Sequence, residues 1–150
     1  MLTLQFKKSI ICSIVQERYK WIKKVGKITK EVIEKLNLDI KEDTPIFIGE
    51  ANIEHIKARH LEDYKKYGNQ IPNIISNPTY LARDEKKNSI QYIKKYIINN
   101  EMVLIVVRAS GKKQQFVRTM YIMAEEKIEK YSLDILKKFS LTTTKMYVII

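Results

Sequence analysis

The hydrophobic positions in the first half of the chain recur mainly with the period of an α-helix. Thr29 is placed to cap a helix that buries Val32, Ile33 and Leu36. The polar stretch at 37–44 then predicts the exit from this helix and a loop. We therefore expect an amphipathic helix at this point.

A short apolar strand and two further helices are predicted next. Residues 45–49 form an apolar run that ends in glycine, which is typical of a buried strand. Asn52 is placed to be the N-cap of a helix that reaches about Tyr67, where a Gly-Asn pair stops it. A short helix over 71–75 ends before Asn77-Pro78, because the residue before a proline avoids helical angles.

From residue 79 onward the pattern favours β-strands. Apolar runs separated by polar turns predict an antiparallel meander of about four strands. The predicted strands lie at 80–82, 90–98, 102–107 and 116–123. The second of these segments also fits a helix, since Ile90, Ile93 and Ile97 have helical spacing, and both interpretations stay open.

The elements together predict one α+β domain with a short segment on either side. Residues 1–20 fit both a strand and a helix and are treated as an N-terminal extension. The domain is expected over 21–139 and ends in a closing helix at 124–139, with 140–150 as a C-terminal tail. N-terminal helices would pack on the antiparallel sheet of about four strands.

The charge of the chain indicates a polyanionic partner. Its 150 residues carry a formal net charge of +11. Clustered lysine and arginine attract nucleic-acid backbones without regard to sequence. A lysine-rich surface that serves only solubility is the alternative.

The chain offers no sequence signal for a disulfide, a cysteine-based zinc site or a membrane span. Cys12 is the only cysteine. No stretch approaches the roughly 20 apolar residues that cross a bilayer. We expect a cytoplasmic protein with no membrane partner, and no cofactor.

Both histidines lie in one helical stretch, at 53–60, together with an arginine. On a helix His55 and Arg59 share a face, whereas His60 is turned by about 140° from His55. A His-Glu-x-x-His zinc site needs a spacing of four and a third ligand, so we expect no metal at this stretch.

Each of these three residues also has a purely structural interpretation. His60 continues the apolar face of Ile53 and Ile56, so it can be a packed, hydrogen-bonded residue instead of a functional one. His55 and Arg59 can belong to an ordinary solvated face. The functional interpretation requires a partner surface elsewhere in the fold.

RNA cleavage is a reaction that these residue types can perform without metal. A base removes the 2′-hydroxyl proton, the 2′-oxygen attacks phosphorus, an acid protonates the leaving 5′-oxygen, and a cation stabilises the phosphate charge. Histidine suits both proton transfers, and the arginine fork matches phosphate geometry. His55 and His60 are therefore the candidates for proton transfer and Arg59 is the candidate phosphate ligand.

The predicted sheet supplies further candidates. Basic and hydroxyl side chains occur near its turns and on its last strand, namely Arg108, Lys112, Lys113, Arg118, Thr119 and Tyr121. Arg118 and Thr119 face opposite sides of a regular strand, so both reach one site only if a bulge intervenes.

Tyrosines interleave with basic residues along the predicted strands. Tyr80, Tyr92, Tyr96 and Tyr121 alternate with lysine and arginine, which suits RNA bases stacking on a basic sheet. Packing between strands is the other interpretation of these aromatic residues.

The order of these motifs resembles the phage-associated branch of the barnase-EndoU-colicin-RelE-like nucleases. The resemblance rests on a series of motifs in a fixed order, namely Gly26-Lys27-Ile28 with the helix that follows, Ile46-Phe47-Ile48, His55-Ile56-x-x-Arg59-His60, Ile74-Ile75-x-x-Pro78-x-Tyr80, and hydrophobic strands that end in Arg118-Thr119-Met120-Tyr121. Its most specific part is the His-Ile-x-x-Arg-His helix with the strand entry at Pro78. The resemblance covers about 21–139. It implies N-terminal helices on a curved antiparallel sheet and a metal-independent, toxin-like or phage-associated ribonuclease. RNA is the expected substrate, and tRNA is a candidate to test.

By position, the resemblance implies a site in two parts. His55, Arg59 and His60 form the helix part, and Thr119 forms the strand part with Arg118 or Tyr121. An inhibitor or immunity protein is an implied partner. A non-catalytic nucleic-acid-binding module and a phage structural or interaction domain are the rival functions.

Overall fold

Residues 21–111 and 113–124 and the backbone of 147–148 are described by a computed structural model. The helices are α1 (Lys30–Leu36), α2 (Glu50–Tyr67) and α3 (Ile71–Ser76), with a 3-10 turn at Gly68–Gln70. The strands are β1 (Ile22–Ile28), β2 (Thr44–Gly49), β3 (Tyr80–Asp84), β4 (Ser89–Tyr96), β5 (Glu101–Ala109), β6 (Gln115–Ile122) and β7 (Tyr147–Val148). The α+β class is as predicted.

The described strands form one sheet in the order β1-β2-β6-β5-β4-β3-β7. Neighbouring strands are antiparallel except β2 and β6, which are parallel. The predicted sheet of about four antiparallel strands therefore has too few strands, and the prediction missed the parallel pairing of β2 with β6. β1, β2 and β7 join the sheet through residues distant in sequence, and local patterns do not reveal such pairing.

The meander from β3 to β6 is confirmed. The helical alternative for residues 90–98 is wrong, because β4 pairs along its whole length with β5. Tertiary pairing decides such short apolar runs. Asn88 and Asn100 in the turns have φ of 49°, a left-handed conformation that asparagine tolerates better than most residues.

Helix α1 has the predicted boundaries. The Thr29 hydroxyl accepts a hydrogen bond from the Val32 amide at 3.4 Å, and Val32 and Leu36 are buried. Asn37 ends the helix in the left-handed conformation. The Arg83 guanidinium of β3 donates to the carbonyl oxygen of Asn37 at 3.0 Å, which satisfies one terminal group of the helix.

The start of α2 corrects the prediction that Asn52 is its N-cap. Gly49 is the N-cap, and the Asn52 side-chain oxygen accepts a hydrogen bond from the Gly49 amide at 2.9 Å. The helix therefore begins three residues earlier, directly after β2. Its predicted end at Tyr67 and the short helix over 71–75 are confirmed.

The predicted order, with helices before the sheet, is wrong for the described residues. β1 and β2 flank α1, so the sheet begins before the first described helix. The lysine-rich strand around Gly26 lacks a clear period. A Cβ at Gly26 would lie 2.7 Å from Cγ2 of Ile75, so glycine lets α3 approach β1 closely. Residues 1–20, Lys112 and the predicted closing helix beyond Ala124 lie outside the described residues.

The two faces of the sheet differ in what packs on them. The rear face contacts the helices and forms the main core, which includes Ile46, Ile56, Ile74, Ile105 and Met120. The front face carries a smaller cluster of Ile93, Leu104 and Met123, against which Tyr80 and Tyr121 pack. The front face also bears polar and charged side chains, among them Arg108 and Thr119.

Candidate active site

A β-bulge in β6 determines which side chains reach the front face. Val107 of β5 pairs with Val117, and the preceding Val106 pairs with Thr119, so Arg118 is the extra residue. Val117 and Met120 remain buried on the rear face. Arg118 and Thr119 consequently face the same side, which a regular strand would not allow.

The front cavity lies over this bulge and has a volume of about 270 Å³. It brings together four of the residues singled out in the sequence, Arg108, Arg118, Thr119 and Tyr121. Its remaining lining consists of Asp84, Lys87, Ser89, Gln91, Leu104 and Val106. Two arginines, a hydroxyl and a phenol thus share one concave surface.

Arg118 has an environment suited to binding an anion. Its Nη2 donates to the Ala109 carbonyl oxygen at 3.3 Å, whereas its Nε is buried and has no hydrogen-bond partner in the described part of the chain. Burial lowers the pKa of Arg118, and the nearby positive charge of Arg108 lowers this pKa further. An arginine nevertheless stays protonated, so a bound phosphate would relieve the repulsion between the two guanidinium groups.

His60 reaches the edge of this site through a break in α2. Its φ of −139° and ψ of 48° are not helical. The imidazole stacks on the Tyr121 ring, with centroids 5.1 Å apart and an angle of 29° between the planes. Burial raises the pKa of Tyr121, which keeps the phenol protonated.

Asp63 connects the histidine to β6. Its Oδ2 accepts a hydrogen bond from the Ile122 amide at 3.0 Å, and the same oxygen lies 4.0 Å from Nδ1 of His60. This contact is made beyond Phe116, the last residue of β6 that pairs with β2. Sequence reasoning missed Asp63, although its position three residues after a helical histidine was an available signal.

The other predicted site residues lie apart from the front cavity. His55 and Arg59 are exposed on α2, and neither lines the cavity. Tyr80 packs with the small front cluster instead. Lys112 lies outside the described residues. The cavity therefore contains the strand part of the predicted site, and His60 contacts it from outside through the Tyr121 ring.

The described residues contain neither a cluster of metal ligands nor a membrane-spanning helix. Within residues 21–111 and 113–124, no three His, Cys, Asp or Glu side chains are grouped in a way that could hold a metal ion. In the same part of the chain, no helix combines the length and the apolar character that crossing a membrane requires.

The model of the phage-Barnase-EndoU-ColicinE5/D-RelE like nuclease3 family matches residues 23–130. The chain belongs to this nuclease family. The match includes every element from β1 to β6 except Ile22, the first residue of β1, and with them the bulge, the break in α2 and the front cavity. No curated protein and no solved structure gives a significant match to the chain.

Membership of the phage-Barnase-EndoU-ColicinE5/D-RelE like nucleases confirms the resemblance found in the sequence. It supports a nuclease role and a nucleic acid as the substrate. The front cavity, with its paired arginines, has the charge that binding such a substrate requires.

Proposed function

We propose that the protein is an endoribonuclease that cleaves RNA at the front cavity by 2′-hydroxyl attack, without a metal ion. The observation that carries the proposal is the bulge at Arg118, which puts Arg118 and Thr119 on one surface with Arg108 and Tyr121. His60 stacks at the border of that surface.

In this proposal the arginines bind the scissile phosphate. Arg118 has an unpaired Nε and an anchored Nη2, so its orientation is fixed before the substrate arrives. Arg108 adds a second positive charge. Fixed cations at the developing phosphate charge lower the activation free energy without reorganisation. In the same proposal, the Thr119 hydroxyl donates a hydrogen bond to a phosphate oxygen, which its position in the lining of the front cavity supports.

His60 carries the proton transfer. Nδ1–H directed at Asp63 would leave Nε2 free to accept the 2′-hydroxyl proton. The O2′–P bond then forms, the P–O5′ bond breaks, and the 5′-oxygen receives a proton from an acid. The products are a 2′,3′-cyclic phosphate and a 5′-hydroxyl. Apo distances such as 4.0 Å often shorten when substrate binds.

His55 and Arg59 would contact the RNA outside the front cavity. Both are exposed on α2, the helix that carries His60. An RNA strand that leaves the cavity along α2 would pass these side chains. His55 is then the candidate acid for the leaving 5′-oxygen and Arg59 a phosphate ligand, with tRNA as the first substrate to test.

The test is cleavage of tRNA in EDTA by the wild-type protein and by His60→Ala. We expect products with 2′,3′-cyclic phosphate ends, and a loss of about 10²-fold or more in rate for His60→Ala. An RNA with a single 2′-deoxy nucleotide at the cleaved position should resist cleavage. Cleavage of that RNA would contradict 2′-hydroxyl attack, and intact but tightly bound tRNA would indicate a binding module instead.

A further inference from the structure

A second cavity lies on the rear side of the sheet, at the same end as the front cavity. The rear cavity has a volume of about 440 Å³, which is within the range of small-ligand sites. Its walls come from the loop between α1 and β2, from the start of β4 and from the turn between β5 and β6. Nothing in the proposed cleavage step uses it.

The lining of the rear cavity suits a nucleotide. Leu38, Ile40 and Ile90 supply apolar walls against which a base can pack. Lys41 and Lys113 are exposed, and neither forms an ion pair with a described carboxylate, although Asp39 also lines the cavity. A flat base with an attached phosphate matches this combination of apolar and cationic groups.

Arg83 adds a third positive charge to the rear cavity. Its Nη1 is held by the carbonyl oxygens of Leu36 and Asn37, at 3.5 and 3.0 Å. Its Nε is buried and has no hydrogen-bond partner among the described residues. The guanidinium is thus fixed in place and incompletely satisfied, as Arg118 is in the front cavity.

The two cavities meet at Ser89, which lines both of them. Ser89 is only 2% exposed, and its hydroxyl has no hydrogen-bond partner in the described part of the chain. Ser89 pairs with Arg108, which lines the front cavity, and the next residue, Ala109, lines the rear one. Only the end of the sheet therefore separates the two cavities.

We propose that the rear cavity binds a nucleotide beyond the two that flank the cleaved bond, in a single RNA strand that passes around the end of the sheet over the β5–β6 turn. This inference rests on the proposed function. An A-form duplex cannot put neighbouring nucleotides on opposite faces of one sheet, whereas an unpaired strand can be splayed. The substrate class is accordingly single-stranded RNA.

The test measures binding of 2′-O-methyl oligoribonucleotides, which cannot be cleaved by 2′-hydroxyl attack. A dinucleotide and a hexanucleotide are compared by fluorescence anisotropy. For the double variant Lys41→Glu/Lys113→Glu we expect the hexanucleotide affinity to fall about 10-fold or more and the dinucleotide affinity to change less than about 2-fold. A hexanucleotide annealed to its complement should bind much more weakly than the single strand.

The matched control is Lys23→Glu/Lys24→Glu. These exposed lysines lie on β1, which is an edge strand separated from β3 by four strands. The control changes the net charge equally. An equal loss of hexanucleotide affinity in both double variants would overturn the rear site, because net charge alone would explain it. Equal losses for the dinucleotide and the hexanucleotide would overturn it as well.

Cleavage separates this inference from the proposed function. Wild-type cleavage of tRNA without a selective loss for Lys41→Glu/Lys113→Glu would reject the rear site and leave the ribonuclease proposal standing. A selective binding loss without any cleavage would keep the rear site and reject the catalytic proposal. If the wild-type protein neither cleaves tRNA nor binds either oligonucleotide, both are rejected.

Discussion

At the residue scale, Arg118 is the bulge residue of β6 and has no paired residue in β5. Replacing it with alanine should lower the cleavage rate by about 10²-fold or more, because one fixed charge at the phosphate is lost. Arg118→Lys should recover only part of the rate, since a lysine keeps the charge but not the two-pronged donor geometry. Single-turnover cleavage of RNA measures both effects.

A charge-matched control makes this prediction specific. Lys24→Ala removes one positive charge from exposed β1 and should change the rate less than about 2-fold. Full activity of Arg118→Ala would mean that the phosphate is bound elsewhere.

Asp63→Asn tests how His60 is oriented. Asparagine can still accept the hydrogen bond from the Ile122 amide, so the melting temperature should change by only a few degrees. The negative charge beside Nδ1 is lost, and kcat should fall about 10-fold or more with little change in KM. A large fall in Tm with unchanged kcat would assign Asp63 a structural role alone.

The two histidines should differ in their effect on stability. His60 stacks on Tyr121, and only 32% of its side chain is exposed, whereas His55 is exposed. His60→Ala should therefore lower Tm more than His55→Ala does. The corresponding difference in the free energy of unfolding is about 1 kcal/mol. Equal and negligible shifts in thermal melts would remove the packing argument for His60.

Sequence reasoning identified residues more readily than their arrangement. Arg118, Thr119 and Tyr121 were singled out by type, and the front cavity brings them together. Asp63 was missed because its role depends on an amide of β6 almost 60 residues away. His60 was placed on an apolar face, but the break in α2 that turns it toward Tyr121 could not be seen in the periodicity.

At the element scale, the features predicted correctly are those that interactions between residues close in sequence determine. Thr29 and Asn37 delimit α1 through contacts within a few residues, and both ends were predicted correctly. The parallel pairing of β2 with β6 and the bulge in β6 depend on partners distant in sequence. From the sequence we could predict that a bulge would bring Arg118 and Thr119 to one face of the sheet. The position of the bulge could not be predicted.

Strand β4 carries a buried phenol that should make stability depend on alkaline pH. Tyr92 is fully buried, its hydroxyl has no partner among the described residues, and burial raises its pKa. The folded-state pKa thus exceeds the unfolded value of about 10, so the unfolded chain loses this proton first. The contribution of the protonated Tyr92 to the free energy of unfolding should be fully present below about pH 10. At higher pH the free energy of unfolding should fall by up to about 1.4 kcal/mol per pH unit.

Tyr92→Phe removes both the titration and the unsatisfied hydroxyl. The free energy of unfolding near pH 7 should rise by about 1 kcal/mol, and its decline above pH 10 should become shallower. Urea unfolding at pH 7, 10 and 11 measures both. A variant as steeply pH-dependent as the wild type would locate the alkaline titration elsewhere.

At the scale of the whole molecule, the net charge of +11 should make RNA binding depend strongly on salt. If Arg108, Arg118, Lys41 and Lys113 each contact one phosphate, log affinity for single-stranded RNA should fall against log salt with a slope of about −3. Titrations of the 2′-O-methyl hexanucleotide at several salt concentrations give this slope. Binding that is insensitive to salt would exclude phosphate contacts as the main source of affinity.

Because the bulge in β6 is a single extra residue, deletion of one codon could remove the proposed activity and leave the fold intact. An in-frame deletion of codon 118 would leave Val117 opposite Val107 and Thr119 opposite Val106, which is already regular pairing. The ladder and the buried side chains on either side would keep their partners. We therefore expect a chain with this fold to lose its proposed phosphate ligand in one step and to remain folded, so the fold alone does not guarantee the activity.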